Sequence, residues 1–228
     1  MSEAAPLPRG ARERLAAIPM PPRIAKLPRE SRGYPIPRFI DRKADKPNGE
    51  PDFRFMNPVY LAECVRYRMC WICGGALPKL KTFPIGPMCV VNRNTAEPPS
   101  HIECARYSAQ VCPFLAFPKM RRIEKGMPDD VRVSGTMIPR NPGVMCLYTV
   151  RQYKVWHPRP GETLFDIGEA VEVEWWAEGR TATRVEVEAS IASGMPLLEA
   201  EARKQEGAIA DLARCFQRAQ PQPLLPAA

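Results

Sequence analysis

Apolar residues recur at helical spacing in two central segments of the chain. Asn57-Pro58 places an N-cap residue before a proline at the first helical position, and Val59, Leu61, Val65 and Met69 then form an apolar stripe. A second helix is predicted from His101 to Val111, with Ser100 as its N-cap and Cys112-Pro113 as its end. Both helices lie close to cysteines.

Short β-prone stretches surround these helices. Leu80–Ile85 and Met88–Val91 are apolar and joined through Gly86-Pro87, so we predict a hairpin there. A longer strand is predicted at Val144–Val155, and Pro37–Ile40 and Asp52–Met56 are predicted to pair across a polar loop.

The last part of the chain has mainly helical patterns. For Gly168–Trp176 we favour a helix, although Val171, Val173 and Trp175 also alternate as in a strand. Thr183 and Glu186 have the spacing of a capping box, which predicts a helix that ends at Gly194. Further helices are predicted from Pro196 to about Glu206 and from Ala208 to Gln217.

These patterns predict an α+β protein with three parts. Residues 1–33 are rich in Pro, Arg and Ala and are expected to form a flexible arm, with a short possible helix at Ala11–Ile18. Residues 34–160 are expected to form a zinc-containing α+β domain with short hairpins. Residues 161–228 are expected to form an acidic helical subdomain packed on it.

Charge is distributed unevenly between these parts. Residues 1–160 carry 27 Lys and Arg against 13 Asp and Glu, whereas residues 161–228 carry 6 against 12. The basic part is compatible with nucleic-acid binding. Mutual attraction of the two parts within one fold is the alternative.

Compartment follows from what the chain lacks. It has no apolar run of about 18 residues and no signal-peptide pattern at its start, so we expect a cytoplasmic protein without a membrane partner. In that compartment the eight cysteines favour metal or redox chemistry over disulfides.

One group of residues has the spacing of a metal site. Cys70 and Cys73 form a CxxC motif followed by two glycines, and glycine after the second cysteine permits the tight turn of a zinc knuckle. His101 and Cys104 lie three apart at a predicted helix start, so both can face the same ion. The sequence therefore predicts one structural Zn²⁺ per chain, with these four residues as ligands.

Alternatives to this assignment remain open at the level of the sequence. Cys70 and Cys73 could be a redox pair, but the βαβ context of that motif is missing. Cys89 or Cys112 could replace a ligand, and His101 could simply cap its helix. Catalytic zinc needs an open coordination position, which four protein ligands close, and we therefore expect no enzyme and no small-molecule substrate.

Two resemblances extend this interpretation. A knuckle, a hairpin and a helix N-terminus in that order resemble the treble-clef zinc finger over roughly residues 68–112. The chain also contains the runs CWICGGALPKLKTFPIGPMCVVNRNTAEPPSHIECARYSAQVCPF, NPGVMCLYTVRQY and WWAEGRTATRVEVEASI. These runs resemble a group of uncharacterised proteins encoded by bacteriophages, prophages and actinobacteria. The resemblance spans most of residues 33–206, with an insertion-like stretch at residues 43–50. This likeness implies one integrated domain and a phage or prophage setting, and it implies no mechanism.

Two functions are compatible with these features. The first is DNA or RNA binding through the basic part, for which the best candidates are Lys119, Arg121, Arg122 and Lys125, with Lys79, Lys81, Arg93 and Arg106 as further candidates. The second is an adaptor that contacts a host or phage protein through its acidic helices and through Trp175 and Trp176, with zinc only stabilising the fold.

Overall fold

The computed structural model describes residues 10–46, 48–117, 138, 140–204, 207–219 and 225–226. Helices and antiparallel sheets are mixed, as in the predicted α+β class. The helices are α1 (Ala11–Ala17), α2 (Pro22–Ala25), α3 (Pro58–Tyr67), α4 (Pro87–Asn92), α5 (Ile102–Val111), α6 (Pro113–Ala116), α7 (Arg184–Ala202) and α8 (Ala208–Ala219). The strands are β1 (Lys81–Ile85), β2 (Asn94–Thr95), β3 (Val144–Val150), β4 (Lys154–Trp156), β5 (Leu164–Asp166), β6 (Ala170–Ala177) and β7 (Arg180–Thr181).

Strand β3 is at the centre of the larger sheet. The strand order is β1-β3-β6-β7, all antiparallel, and every residue of β3 is buried. Cys146, Tyr148 and Val150 face one hydrophobic cluster, whereas Met145 and Leu147 face α5. A strand that is covered on both faces explains the nearly continuous apolar run in its sequence.

A smaller sheet and two helices complete the core on one side of β3. Strands β2, β5 and β4 form this sheet, and Phe165 of β5 lies fully buried against Phe83 of β1 with ring centroids 6.0 Å apart. We call this cluster the sheet core; it also includes Val90 of α4 and Val187 of α7.

The predicted hairpin at residues 80–91 is wrong. Strand β1 pairs with β3, and Met88–Val91 belong to α4. Gly86 is the N-cap and Pro87 the first residue of that helix, so Gly-Pro here starts a helix and makes no hairpin turn. The favoured helix at Gly168–Trp176 is also wrong, because this segment forms β6 against β3. The alternating pattern indicated the strand.

Other strand predictions hold in part. The predicted strand at Val144–Val155 is divided into β3 and β4, which belong to different sheets. The predicted pairing of Pro37–Ile40 with Asp52–Met56 consists of one antiparallel bridge between Ile40 and Met56.

Residues 10–33 differ from the expected flexible arm. Helix α1 is present as predicted, and Ala11 and Ile24 are buried. Ile24 packs with Tyr34, Cys70, Ile72, Cys104, Tyr107 and Val111 in a cluster that we call the metal-side core. Apolar residues spaced between prolines are therefore sufficient to fix this segment against the body of the protein.

The expected boundary at residue 160 falls between paired strands. Strand β5 pairs with β4, and β6 pairs with β3, so residues 164–177 complete both sheets and do not begin a helical subdomain.

Helix α7 continues through Gly194 and Pro196, where the sequence predicted an interruption. A Cβ atom at Gly194 would lie 2.8 Å from Met88 Sδ and 2.9 Å from Arg140 Nη2. A side chain at this position would therefore displace the ends of the Met88 and Arg140 side chains. None of the helices in the described part of the chain is long and apolar enough to cross a membrane.

The capping box at the start of α7 is present as predicted. The Thr183 hydroxyl accepts a hydrogen bond from the backbone N–H of Glu186, and the Glu186 carboxylate accepts one from the backbone N–H of Thr183 at 2.8 Å. The guanidinium of Arg180 and the Thr183 backbone lower the pKa of Glu186 to about 2. The stabilisation from this carboxylate is therefore complete at neutral pH, and it is lost as the pH falls from 4.5, its ordinary pKa, towards 2.

Thr183→Ala is expected to lower the free energy of unfolding by about 1 kcal/mol, because it removes the N-cap acceptor. Urea denaturation at pH 7 measures this change. Thr183→Ser retains the hydroxyl and is the matched control; equal stability of the Ala and Ser variants would show that the cap contributes nothing.

Candidate metal centre

A short hairpin holds the first two cysteines. Met69 and Ala76 form an antiparallel bridge, and the Cys70 backbone N–H donates to the carbonyl of Gly75 at 2.7 Å. Gly74 N–H donates back to the Cys70 carbonyl at 2.9 Å, with Gly74 at φ +79°. This left-handed glycine makes the tight turn that the sequence predicted and brings both thiols to one side.

The start of α5 supplies the other two side chains. His101 is the N-cap of α5 and Cys104 lies in its first turn. Strand β1 positions this helix start, because Thr82 and Ser100 exchange backbone hydrogen bonds of 3.0 and 2.7 Å. The backbone N–H of His101 points at Cys70 Sγ, 3.5 Å away.

All four predicted ligands meet in one group. The donor atoms of Cys70, Cys73, His101 and Cys104 lie within 4.8 Å of one another. His101 Nδ1 is 3.4 Å from Cys73 Sγ and 3.9 Å from Cys104 Sγ. Cys70, His101 and Cys104 are buried, and Cys73 is partly exposed. The group can hold a metal ion.

The hydrogen bond of His101 fixes its tautomer. His101 Nε2 lies 2.9 Å from the carbonyl oxygen of Ala76, and a carbonyl only accepts, so Nε2 carries the proton. The lone pair of Nδ1 then faces the three thiols. Metal-binding histidines usually have such a partner for the second ring nitrogen.

Charge repulsion within the group favours a cation at its centre. Hydrogen bonds from Cys104 and Cys73 lower the pKa of the Cys70 thiol well below its ordinary value. The hydrogen bonds to Cys70 and Cys73 raise the pKa of the Cys104 thiol well above its ordinary value, and burial raises it further. Without a cation, a negative charge on one thiolate opposes ionisation of its neighbours. A divalent ion removes that conflict.

The alternative cysteine ligands lie elsewhere. Neither Cys89 nor Cys112 belongs to the group of close donor atoms. Burial raises the pKa of the Cys89 thiol to about 11 and also raises that of Cys112. Both thiols are therefore protonated at neutral pH and pack as small apolar groups.

An aromatic stack lies beside the metal group, and sequence reasoning missed it. Trp71 lies between Phe39 and Tyr60 with ring centroids 5.0 and 5.7 Å away, and both pairs are nearly parallel. The Tyr60 hydroxyl donates to the carbonyl of Cys70 at 3.0 Å. Only the cysteine spacing marked this region in the sequence, since the three rings come from distant positions.

The residues that the sequence predicted to bind nucleic acid differ in where the structure places them. Lys119, Arg121, Arg122 and Lys125 lie outside the described residues. Of the further candidates, Lys81 is buried and donates to the carbonyls of Lys79 and Arg151, and Arg93 is buried over the Tyr148 ring. Arg106 forms a bidentate ion pair with Glu174. Lys81 and Arg93 are therefore occupied inside the protein, and Arg106 is paired with a carboxylate at its surface.

Between the knuckle and α5 the chain forms β1, α4 and β2. The knuckle and the helix N-terminus of the treble-clef resemblance are thus in place without its hairpin, and the finger as a whole stays a prediction.

Comparison with protein-family models, curated proteins and solved structures shows no match for this chain.

Proposed function

We propose that this chain is a non-enzymatic protein that holds one structural zinc ion and binds nucleic acid through its basic N-terminal two-thirds. The observation that carries the zinc assignment is the orientation of His101. Its Nε2–H donates to the carbonyl of Ala76, and its Nδ1 faces three thiols. The resemblance to phage and prophage proteins motivates the further proposal that the setting is a phage or prophage.

Zinc fits this donor set by chemistry and by size. Three thiolates and one imidazole are a common tetrahedral zinc set, with Zn–S of about 2.3 Å and Zn–N of about 2.0–2.1 Å. A tetrahedron with those bonds separates sulfur from nitrogen by about 3.6 Å. The separations of 3.4 and 3.9 Å from His101 Nδ1 bracket that value.

Four protein ligands and deep burial support a structural role for the ion. Catalytic zinc keeps a position for water, usually beside a general base. The second histidine of the chain, His157, is exposed and hydrogen-bonds the carbonyl of Glu162. Cys70 and Cys104 instead belong to the metal-side core and Cys73 packs against it, so the ligands connect the knuckle hairpin to α5.

Charge supports nucleic acid as the partner. The excess of Lys and Arg over Asp and Glu is 14 in residues 1–160, and such an excess attracts phosphate. The adaptor alternative loses part of its basis, because Trp175 is buried in the sheet core and Trp176 packs beside Met145 and Leu147.

The test combines metal analysis with a salt series on one sample. We expect one zinc per chain and binding of a labelled oligonucleotide whose log affinity falls linearly with log salt concentration. Replacing Lys119, Arg121, Arg122 and Lys125 together by Gln tests the predicted basic stretch. A protein without zinc would contradict the first half of the proposal, and salt-independent or absent oligonucleotide binding would contradict the second.

A further inference from the structure

An open groove runs beside the metal group. It lies between α2 with the segment that follows it, α3, and the loop Cys73–Gly75, and its volume is about 770 Å³. Of the basic residues that the sequence singled out, those within the described part of the chain, Lys79, Lys81, Arg93 and Arg106, do not line the groove. Residues 23–42 form one of its walls, and residues 23–33 of this wall belong to the segment that the sequence predicted to be a flexible arm.

The charges that line the groove are mostly positive. Arg23, Lys26, Arg38 and Arg42 face it against one carboxylate, Glu63. All four basic residues are exposed. Arg23 and Arg42 also form ion pairs with Glu103 and Asp45 outside the groove lining.

Two of these cations have no carboxylate partner in the described part of the chain. Lys26 and Arg38 form no ion pair there, and the Arg38 guanidinium lies 5.3 Å from the centre of the Tyr60 ring. Contact with that ring holds Arg38 in place while its charge remains exposed to an anion.

An exposed aromatic ring completes the groove. Tyr67, at the end of α3, is 58% exposed although large aromatic side chains are usually mostly buried. The Arg66 guanidinium lies 5.3 Å from its ring centre. A ring backed by a guanidinium is a stacking surface for a nucleobase.

We propose that this groove binds single-stranded nucleic acid, with Lys26 and Arg38 on phosphates and Tyr67 stacked on a base. The inference rests on the proposed nucleic-acid function and assigns it to a surface. A duplex is read by helices or strands that protrude into its grooves, whereas a concave surface receives a flexible single strand. Stacking on Tyr67 also favours nucleic acid over an acidic peptide.

The probe is a fluorescein-labelled oligothymidylate of about 12 nucleotides, within the ~4–16 nucleotides that one small domain covers. Lys26→Gln/Arg38→Gln is expected to reduce the slope of log affinity against log salt by about 1.4, at about 0.7 per phosphate contact. With equal binding of the wild type and the variant at 1 M salt, this change in slope makes the variant bind roughly 25-fold more weakly than the wild type at 0.1 M salt. The matched control is Arg151→Gln/Lys154→Gln, which removes two exposed cations outside the groove and should leave the slope unchanged.

A second pair of variants separates stacking from charge. Tyr67→Leu is expected to weaken oligothymidylate binding by roughly 5–150-fold, and Tyr67→Phe should bind as the wild type does. Circular dichroism and metal content should be the same in every variant, because each altered side chain is exposed.

The outcomes separate the two proposals. If the wild type binds neither oligothymidylate nor a duplex, the proposed function fails. If it binds, but both groove variants bind equally well and only the variant at residues 119–125 is weakened, the groove assignment fails and the function stands. A duplex that binds as tightly as the single strand, or polyglutamate that competes as well as oligothymidylate, would also overturn the groove assignment.

Discussion

Cys104→Ser is expected to abolish stoichiometric metal binding and to unfold the metal-side core. Cys104 is fully buried and contributes both a ligand and a packing contact, whereas serine is a poor zinc ligand. Structural zinc contributes about 10–16 kcal/mol in small zinc-finger peptides. A whole domain is stable by only about 5–15 kcal/mol, so losing even part of the metal contribution is sufficient to unfold this region.

In the Cys104→Ser variant, structure should be lost from one part of the chain and retained in another. Among the residues that the structure describes, the sheet core shares none with the metal-side core. Hydrogen exchange of the variant should therefore show lost protection in residues 22–40 and 68–77, with β3 and β6 protected for longer.

Cys112→Ser is the matched control, because Cys112 lies outside the metal group and the change is the same. We expect one metal ion per chain and wild-type protection in this control. If Cys104→Ser retained full metal content and full protection from hydrogen exchange, the metal would not be stabilising the metal-side core.

Leu147→Ala is expected to lower the free energy of unfolding by about 2–5 kcal/mol. Leu147 is fully buried on β3 and packs with Ala105 and Ala109 of α5. Truncation leaves a cavity between the sheet and the helix that carries Cys104. For a chain of this size the melting temperature should fall by roughly 4–20 °C, which calorimetry measures.

Leu197→Ala is the control for this change, because Leu197 is 42% exposed on α7. It should alter stability by no more than about 0.5 kcal/mol. Equal melting temperatures for the two variants would contradict the central position of β3.

The metal group could be predicted from the sequence because its determinants are local. CxxC with a following glycine specifies a tight turn within a few residues, and HxxC at a helix start places both side chains on one face. The helix start at Asn57-Pro58 and the capping box at Thr183 are local in the same way, and both are present.

The errors arose where distant partners decide the structure. Residues 170–177 form a strand because β3 is available to pair with them, and β3 comes from a separate part of the sequence. Residues 10–33 pack against the rest of the protein because Ile24 is buried in the metal-side core. No local sequence pattern reveals that contact. For the same reason the groove, which joins residues 23–42 to α3 and the knuckle, could not be predicted from the sequence.

X-ray absorption at the zinc edge tests the central claim most directly. We expect one zinc per chain, surrounded by three sulfur atoms at about 2.3 Å and one nitrogen at about 2.0–2.1 Å. Cys112→Ser should leave this spectrum unchanged, and His101→Cys should convert it to four sulfur atoms. A wild-type site with four sulfur atoms, or with an added water oxygen, would contradict the closed group of Cys70, Cys73, His101 and Cys104.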